Sequence, residues 1–295
     1  MAAPGVAVTK RADRVAEAGG VRTERHDDGV VEVRLDRPEK RNALDAAMFR
    51  ALARAGASLL DDRSARVVVL SGEGTSFCAG LDLAAFATLG AGNPSARFDP
   101  HGTDDDSAGP GTIVVDGDTH VAQYVCRVWQ MLPVPVVAAL QGHALGAGIQ
   151  IALGADVRIA HPDTQLSLRE VHWGIIPDMA GTLHMRGLVR DDAIRELVYT
   201  ARIIDAREGE RIGLVTRLAD DPRSTALALA GEIAGRSPDA VRAAKALLRG
   251  PASDASRHLV RERELIASLV NTPNQREAVL ASLEKRPARF VDPAH

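Results

Sequence analysis

The sequence predicts an α/β fold assembled from repeated strand–helix units, on three observations. Short apolar runs such as Val67-Val68-Val69-Leu70 read as strands covered on both faces, the pattern of a buried parallel sheet. Segments with apolar residues at helical spacing alternate with those runs. Twice, at 76–83 and at 140–152, a loop of small residues leaves a strand and opens a helix.

Taken in order, residues 1–22 read as a loose, Ala-rich extension. They lack the apolar core of a secretion signal, and Asp13 and Glu17 argue against a transit peptide. Val30 to Leu35 alternates as a strand and ends at Asp36-Arg37-Pro38. Asn42 is placed to cap the next helix, where Ala43, Leu44, Met48, Leu52 and Leu59 recur at helical spacing. Beyond strand 67–70, residues 90–117 are rich in Gly, Pro and Asp and break the rhythm, which marks an inserted surface loop. Its Asp104-Asp105-Asp106 run has no spaced His or Glu ligands and reads as solvated acid, not as a metal site.

Thr119 to Leu132 is expected as a helix with Val121, Val125, Val128, Trp129 and Leu132 on one face and Trp129 in the core. Strands at 134–140, 157–160 and 165–168, with a helix at 146–155, continue the alternation. From about 218 the strands give way to amphipathic helices at 225–236, 238–248, 256–271 and 273–285, Ser237-Pro238 forming a cap and first-turn pair. The expected organisation is thus an extension (1–22), an α/β core (23–217) and a helical C-terminal region (218–295).

At 295 residues the chain can bury a substantial core. A net charge of -3, scattered basic residues and 3% aromatics argue against nucleic acid as a partner. Two cysteines, Cys78 and Cys126, make neither a disulfide framework nor a metal cluster and fit a reducing compartment, so the cytoplasm is the expected location. Cys78 lacks a neighbouring base and reads as a small packed side chain. No apolar run approaches the roughly 18 residues of a membrane helix.

The chemistry concentrates in the two small-residue loops. At a strand-to-helix junction the first N–H groups have no partner inside the helix, and the macrodipole adds partial positive charge. Gly142, Gly146 and Gly148 do not fit the Gly-x-Gly-x-x-Gly fingerprint, and no Gly-Lys-Ser/Thr follows. Two such loops together suggest a two-donor oxyanion hole.

Four ordered segments carry a resemblance to the crotonase superfamily, also called the enoyl-CoA hydratase/isomerase family. They are Leu35-Asp36-Arg37-Pro38-Glu39-Lys40-Arg41-Asn42-Ala43-Leu44, Phe77-Cys78-Ala79-Gly80-Leu81-Asp82-Leu83, Gln141 to Ala152, and Arg169-Glu170-Val171-His172-Trp173-Gly174-Ile175-Ile176-Pro177. The resemblance implies a spiral of ββα repeats with a C-terminal helical trimerisation region, a homotrimer or homohexamer, and an acyl-coenzyme A thioester as substrate. It implies no separate cofactor, since coenzyme A belongs to the substrate, and no metal. By motif position the oxyanion donors would be the amides of Leu81 and Ala147, with Ala in place of the more usual Gly. Arg41, Ala43, Cys78, Gly80, Asp82 and Gly146 match segments that line the coenzyme A channel.

Hydratases of this family resemble one another in using two glutamates. The first position falls here on Gln150 and the second on Glu170, so the hydration pair is incomplete: an amide can orient water but cannot exchange a proton at neutral pH. Asp178 resembles an acid used by the dienoyl-CoA isomerase branch, and it is equally placed to cap the helix near Ala180-Gly181. The expected reaction is double-bond isomerisation with Glu170 as acid/base. Hydration with a water held by Gln150, and acyl-CoA binding without turnover, stand as alternatives. His143, His172 and His184 lie near the motifs but match no catalytic position of the family, and are read as structural.

Overall fold

A computed structural model describes residues 14–82, 121–249 and 272–293, with isolated positions between 260 and 270. The insertion expected at 90–117 lies outside the described residues, as does most of the helix expected at 256–271. The strands in chain order are β1 (Arg14–Ala18), β2 (Val21–Arg25), β3 (Val30–Leu35), β4 (Val67–Gly72), β5 (Val136–Leu140), β6 (His143–Leu145), β7 (Val157–Ala160), β8 (Gln165–Ser167), β9 (Ile204–Asp205) and β10 (Arg217–Leu218). The main sheet runs β1-β2-β3-β4-β5-β7-β10, antiparallel as far as β3 and parallel beyond it. A smaller sheet runs β6-β8-β9.

The helices are α1 (Ala46–Ser58), α2 (Val121–Met131), α3 (Ala147–Leu153), α4 (Gly181–Met185), α5 (Asp191–Thr200), α6 (Ala206–Arg211), α7 (Pro222–Ala234), α8 (Pro238–Leu248) and α9 (Pro273–Leu283). Val31, Val33, Leu35, Val68, Leu70 and Val136 pack in one core with Met48 and Leu52 of α1 and Trp129 of α2. The intervening residues Val30, Val67, Val69, Val137 and Ile159 pack on the other side against Ala226, Ala230 and Ala234, three residues spaced four apart along α7. Both faces are covered, which is why these strands read as continuous apolar runs. Each fully buried Val or Leu there contributes about 1.5–3 kcal/mol relative to exposure.

The face under α7 holds a buried carboxylate paired with two arginines. Glu32 is fully buried, and its Oε1 accepts from Ser71 Oγ at 2.7 Å and from Arg223 Nε at 2.7 Å. Its Oε2 accepts from Arg34 Nη2 at 2.6 Å and Arg223 Nη2 at 2.8 Å. Burial alone would raise this carboxyl, but the hydrogen bonds from Arg223, Arg34 and Ser71 override it and hold the pKa at about 2. Lys245 of α8 ties the helical region down in a similar way, donating to Val134 O at 2.8 Å and to Asp156 Oδ2 at 2.7 Å.

The repeat unit is visible in the backbone bonding. After β3, β4, β5 and β7 the chain makes a second extended segment that pairs sideways with the next: Leu44 bridges Leu81, Cys78 bridges Ala144, and β6 pairs with β8 in parallel, Leu145 opposite Ser167. The described residues thus carry the ββα spiral, and the second segments form a row in which 41–44, 78–82, 143–147 and 167–170 end side by side.

Three sequence expectations are corrected. Residues 14–22 are not loose, because β1 pairs with β2 from Arg14 opposite Arg25 to Ala18 opposite Val21. An edge strand is held by backbone bonds on one side, and the short Arg14–Ala18 segment, with two alanines and few β-branched residues, carries little strand signal of its own. The cap of α1 is Asp45, whose side chain accepts from Met48 N, and not Asn42. Helix α7 begins at Pro222, capped by Asp221, ahead of the expected 225. Ser237 caps α8 as expected, and Trp129 is fully buried.

Candidate active site

The ends of the second segments surround a cavity of about 460 Å³, within the usual range for a small-molecule site. Of the residues singled out in the sequence, its wall contains Arg41, Ala43, Gly80, Leu81, Asp82, Gly146, Ala147, Glu170 and Asp178. Cys78 and Gln150 lie behind that wall and are fully buried.

Two backbone donors face this space. Leu44 N–H donates to Gly80 O at 2.8 Å and Asp82 N–H to Leu44 O at 3.0 Å, so segment 80–82 pairs with residue 44 through Gly80 and Asp82. In an extended chain the N–H of the intervening Leu81 then points the opposite way. On that side lies the Leu145–Ala147 stretch: an ideal Cβ on Gly80 would sit 3.0 Å from Leu145 O. Ala147 is the first residue of α3, where an N–H has no intrahelical acceptor. Neither the Leu81 N–H nor the Ala147 N–H donates a hydrogen bond among the described residues. The turn into α3 needs glycine, since Gly146 has φ +52 and an added Cβ would lie 3.2 Å from Glu170 Oε1.

Glu170 opens the short 3-10 turn Glu170–Trp173 that follows β8 and is 7% exposed. Its Oε1 accepts from Gln150 Nε2 at 2.7 Å, while its Oε2 is buried without a hydrogen-bond partner among the described residues. Burial pushes its carboxyl above the ordinary range, and nearby Asp178 adds to the push. Its own backbone N–H and the Gln150 amide oppose the shift. Asp178 is exposed at the cavity edge. It caps no helix: the N-cap of α4 is Ala180, without a side-chain cap.

Gln150 meets protein at both ends of its amide. Its Oε1 accepts from Met179 N and Gly181 N at 3.1 Å each, and its Nε2 faces Glu170. Cys78 is removed from the channel and from nucleophilic chemistry, because burial drives its pKa up to about 12.

The motif Arg41-Asn42 holds two successive left-handed residues, φ +51 and +56. Asn42 fixes them: its Oδ1 accepts from Arg37 N at 2.8 Å, and its Nδ2 donates to Glu73 O and Ser76 O at 2.9 and 2.7 Å. Lys40 and Arg41 are thereby set at the cavity, and Arg37 pairs with Asp82 at 2.9 Å.

Residues 30–293 match a family model described as enoyl-CoA hydratase/isomerase. The chain belongs to that family. It is 32% identical over 264 residues to Probable enoyl-CoA hydratase 2, mitochondrial, of Arabidopsis thaliana, covering 88% of this chain and 81% of that protein. It is 29% identical over 270 residues to Methylglutaconyl-CoA hydratase, mitochondrial, of Mus musculus, covering 89% and 79%. Among solved structures, an enoyl-CoA hydratase from Bacillus anthracis matches at TM-score 0.79 and 28% identity, over 92% of this chain and 98% of that one. The crotonase-like α/β fold implied by the sequence motifs is therefore the fold of this chain.

The enoyl-CoA hydratase/isomerase motifs account for the inner wall but not for all of it. Lys40, Arg169, Trp173 and Ile175 also line the cavity, within quoted motifs but without a role assigned from sequence. Met179 and Ile203 complete the apolar side. Ile203 precedes β9 far along the chain, in a segment with no motif. Of the three histidines, His143 lines the cavity with Nδ1 2.9 Å from Ser76 Oγ, and burial and Arg41 lower its pKa. His172 is exposed, its ring edge-on to Trp173. His184 is buried, and burial lowers its pKa to about 4. No His/Cys/Asp/Glu group among the described residues is suited to hold a metal ion.

Proposed function

We propose that this protein is an acyl-CoA isomerase, moving a double bond in an enoyl- or dienoyl-CoA thioester with Glu170 as the acid/base. One observation carries the reading: among the described residues, one buried carboxylate, with one oxygen lacking a hydrogen-bond partner, lies in the same cavity wall as the N–H groups of Leu81 and Ala147, which donate to none of those residues. The thioester oxygen would accept from both amides. Glu170 Oε2 would take the proton from C2 of a 3-enoyl thioester, the two N–H groups holding the enolate charge without reorganisation. The same carboxyl then returns the proton at C4, and the double bond ends between C2 and C3. Only one exchangeable acid is needed. A carboxyl raised above its ordinary pKa suits both directions of transfer.

Lys40, Arg41 and Arg169 supply positive charge for the phosphates of coenzyme A, and Trp173, Ile175, Met179 and Ile203 an apolar wall for the acyl group. No cofactor beyond the substrate's coenzyme A is required. Exposed Leu248, Val279, Leu280 and Leu283 on α8 and α9 support assembly into a homotrimer or homohexamer.

Hydration is the second reading. The names of the Arabidopsis and mouse relatives favour it, and Asp178 offers a second cavity carboxylate to handle a water. Product analysis separates the two. Incubation with 3-enoyl- and 3,5-dienoyl-CoA should give shifted alkenes, whereas rapid conversion of 2-enoyl-CoA to the 3-hydroxyacyl product would favour hydration.

A further inference from the structure

The side chain behind the cavity wall touches the Glu170 carboxylate at one end and the backbone next to Asp178 at the other. We propose that Gln150 is a positioning residue that fixes the placement of Glu170 and Asp178 and sets the protonation of Glu170; this rests on the acid/base role given to Glu170 above. Gln150 is 0% exposed and sits on α3. The orientation of its amide follows from its partners: two backbone N–H groups, of Met179 and Gly181, each 3.1 Å from Oε1, can donate only to the carbonyl end. The NH₂ end must then point at Glu170, where Nε2 lies 2.7 Å from Oε1. The fit leaves no slack, since a Cβ on Gly181 would come 2.5 Å from Gln150 Cγ.

Two consequences follow. Donation to Oε1 occupies one carboxylate oxygen of Glu170 and leaves Oε2 as the atom that exchanges the proton. The bond at Met179 N holds the backbone next to Asp178, so the same amide spaces the second acid from the first. Donation to a buried carboxylate favours its charged form, against the desolvation that favours the neutral one. The other groups that face Glu170 are Asp178 from the turn before α4 and Cys126 from α2, whose thiol burial keeps neutral. Across the cavity stand Lys40, Arg41, Asp82, His143 and Arg169. Of these, replacing Gln150 touches only Asp178, through the bond at Met179 N.

The test is a ¹³C-glutamate NMR titration of Glu170, its resonance assigned by its absence in Glu170→Gln, in the wild type, Gln150→Met and Gln150→Glu. Methionine nearly conserves the volume and removes both arms of the amide. The Glu170 midpoint is expected to rise by about one pH unit, with kcat down about tenfold and KM within about twofold. Glutamate keeps an acceptor for Met179 and Gly181 but sets a second acid against Glu170, so the midpoint should rise further still. A natively folded Gln150→Met with an unmoved Glu170 midpoint would overturn the proposal. If that variant does not fold, an unmoved midpoint in Gln150→Glu overturns it equally. Full turnover by Glu170→Gln would refute the acid/base reading on its own, while the NMR shift would still report the coupling between residues 150 and 170.

Discussion

Glu32 and Glu170 are both buried glutamates in one fold, 0% and 7% exposed, and their surroundings push them in opposite directions. Around Glu32 both oxygens are saturated by two guanidinium groups and a hydroxyl, and the carboxyl stays ionised down to a pKa of about 2. Around Glu170 one neutral side-chain amide reaches one oxygen, the other has no hydrogen-bond partner among the described residues, and burial raises the carboxyl. The desolvation cost is present at both sites, and the partners decide the outcome. Where cations close the shell, the acid joins the structure. Where the shell is left open beside a cavity, the acid is able to exchange a proton.

The largest effect should come from breaking the open site. Glu170→Gln is expected to lower turnover by about 10²–10⁴-fold while leaving acyl-CoA affinity within a few-fold, as steady-state kinetics and calorimetry would show. The matching change at the closed site should do the reverse. Glu32→Gln leaves Arg34 and Arg223 facing a neutral group and should cost about 3 kcal/mol in urea unfolding, with activity per folded molecule unchanged.

The pH dependence of stability should separate the two carboxylates by sign. The folded pKa of Glu32 lies below its ordinary 4.5, so its contribution is full above pH 4.5 and is lost as pH falls toward about 2. The folded pKa of Glu170 is raised, so its ionisation disfavours the folded state once pH rises through that value. Glu170→Gln should therefore be as stable as the wild type or more so at pH 7, with the gain vanishing below pH 4.5; a destabilised variant at pH 7 would break the contrast. The smallest effect is Ser71→Ala. It removes one of four hydrogen bonds to Glu32 and should cost about 1 kcal/mol by the same unfolding assay.

The difference between these two sites was only half legible in the sequence. Glu170 stood out because it sits in an ordered motif. Glu32 looked like an outward residue of an alternating strand, and only the packing of α7 over that face, bringing Arg223 from 191 positions away, turns it inward. The apolar strands read at 67–70 and 134–140 and the small-residue junctions were readable because period and composition are local. What depends on distant partners was not. Asn42 has the chemistry of a cap, but its amide is spent on Arg37, Glu73 and Ser76, and Asp45 takes the cap. The missing acid at position 150 was plain from the residue itself, whereas the fact that its two ends reach Met179, Gly181 and Glu170 needed the fold. Ile203 meets the cavity by tertiary packing alone.

The most direct measurement is a structure of the protein with a slowly reacting acyl-CoA thioester bound. Leu81 N and Ala147 N should both lie about 2.7–3.1 Å from the thioester oxygen, with Glu170 Oε2 against the C2 carbon. A thioester oxygen held elsewhere, or either nitrogen bonded to protein in that complex, would contradict it.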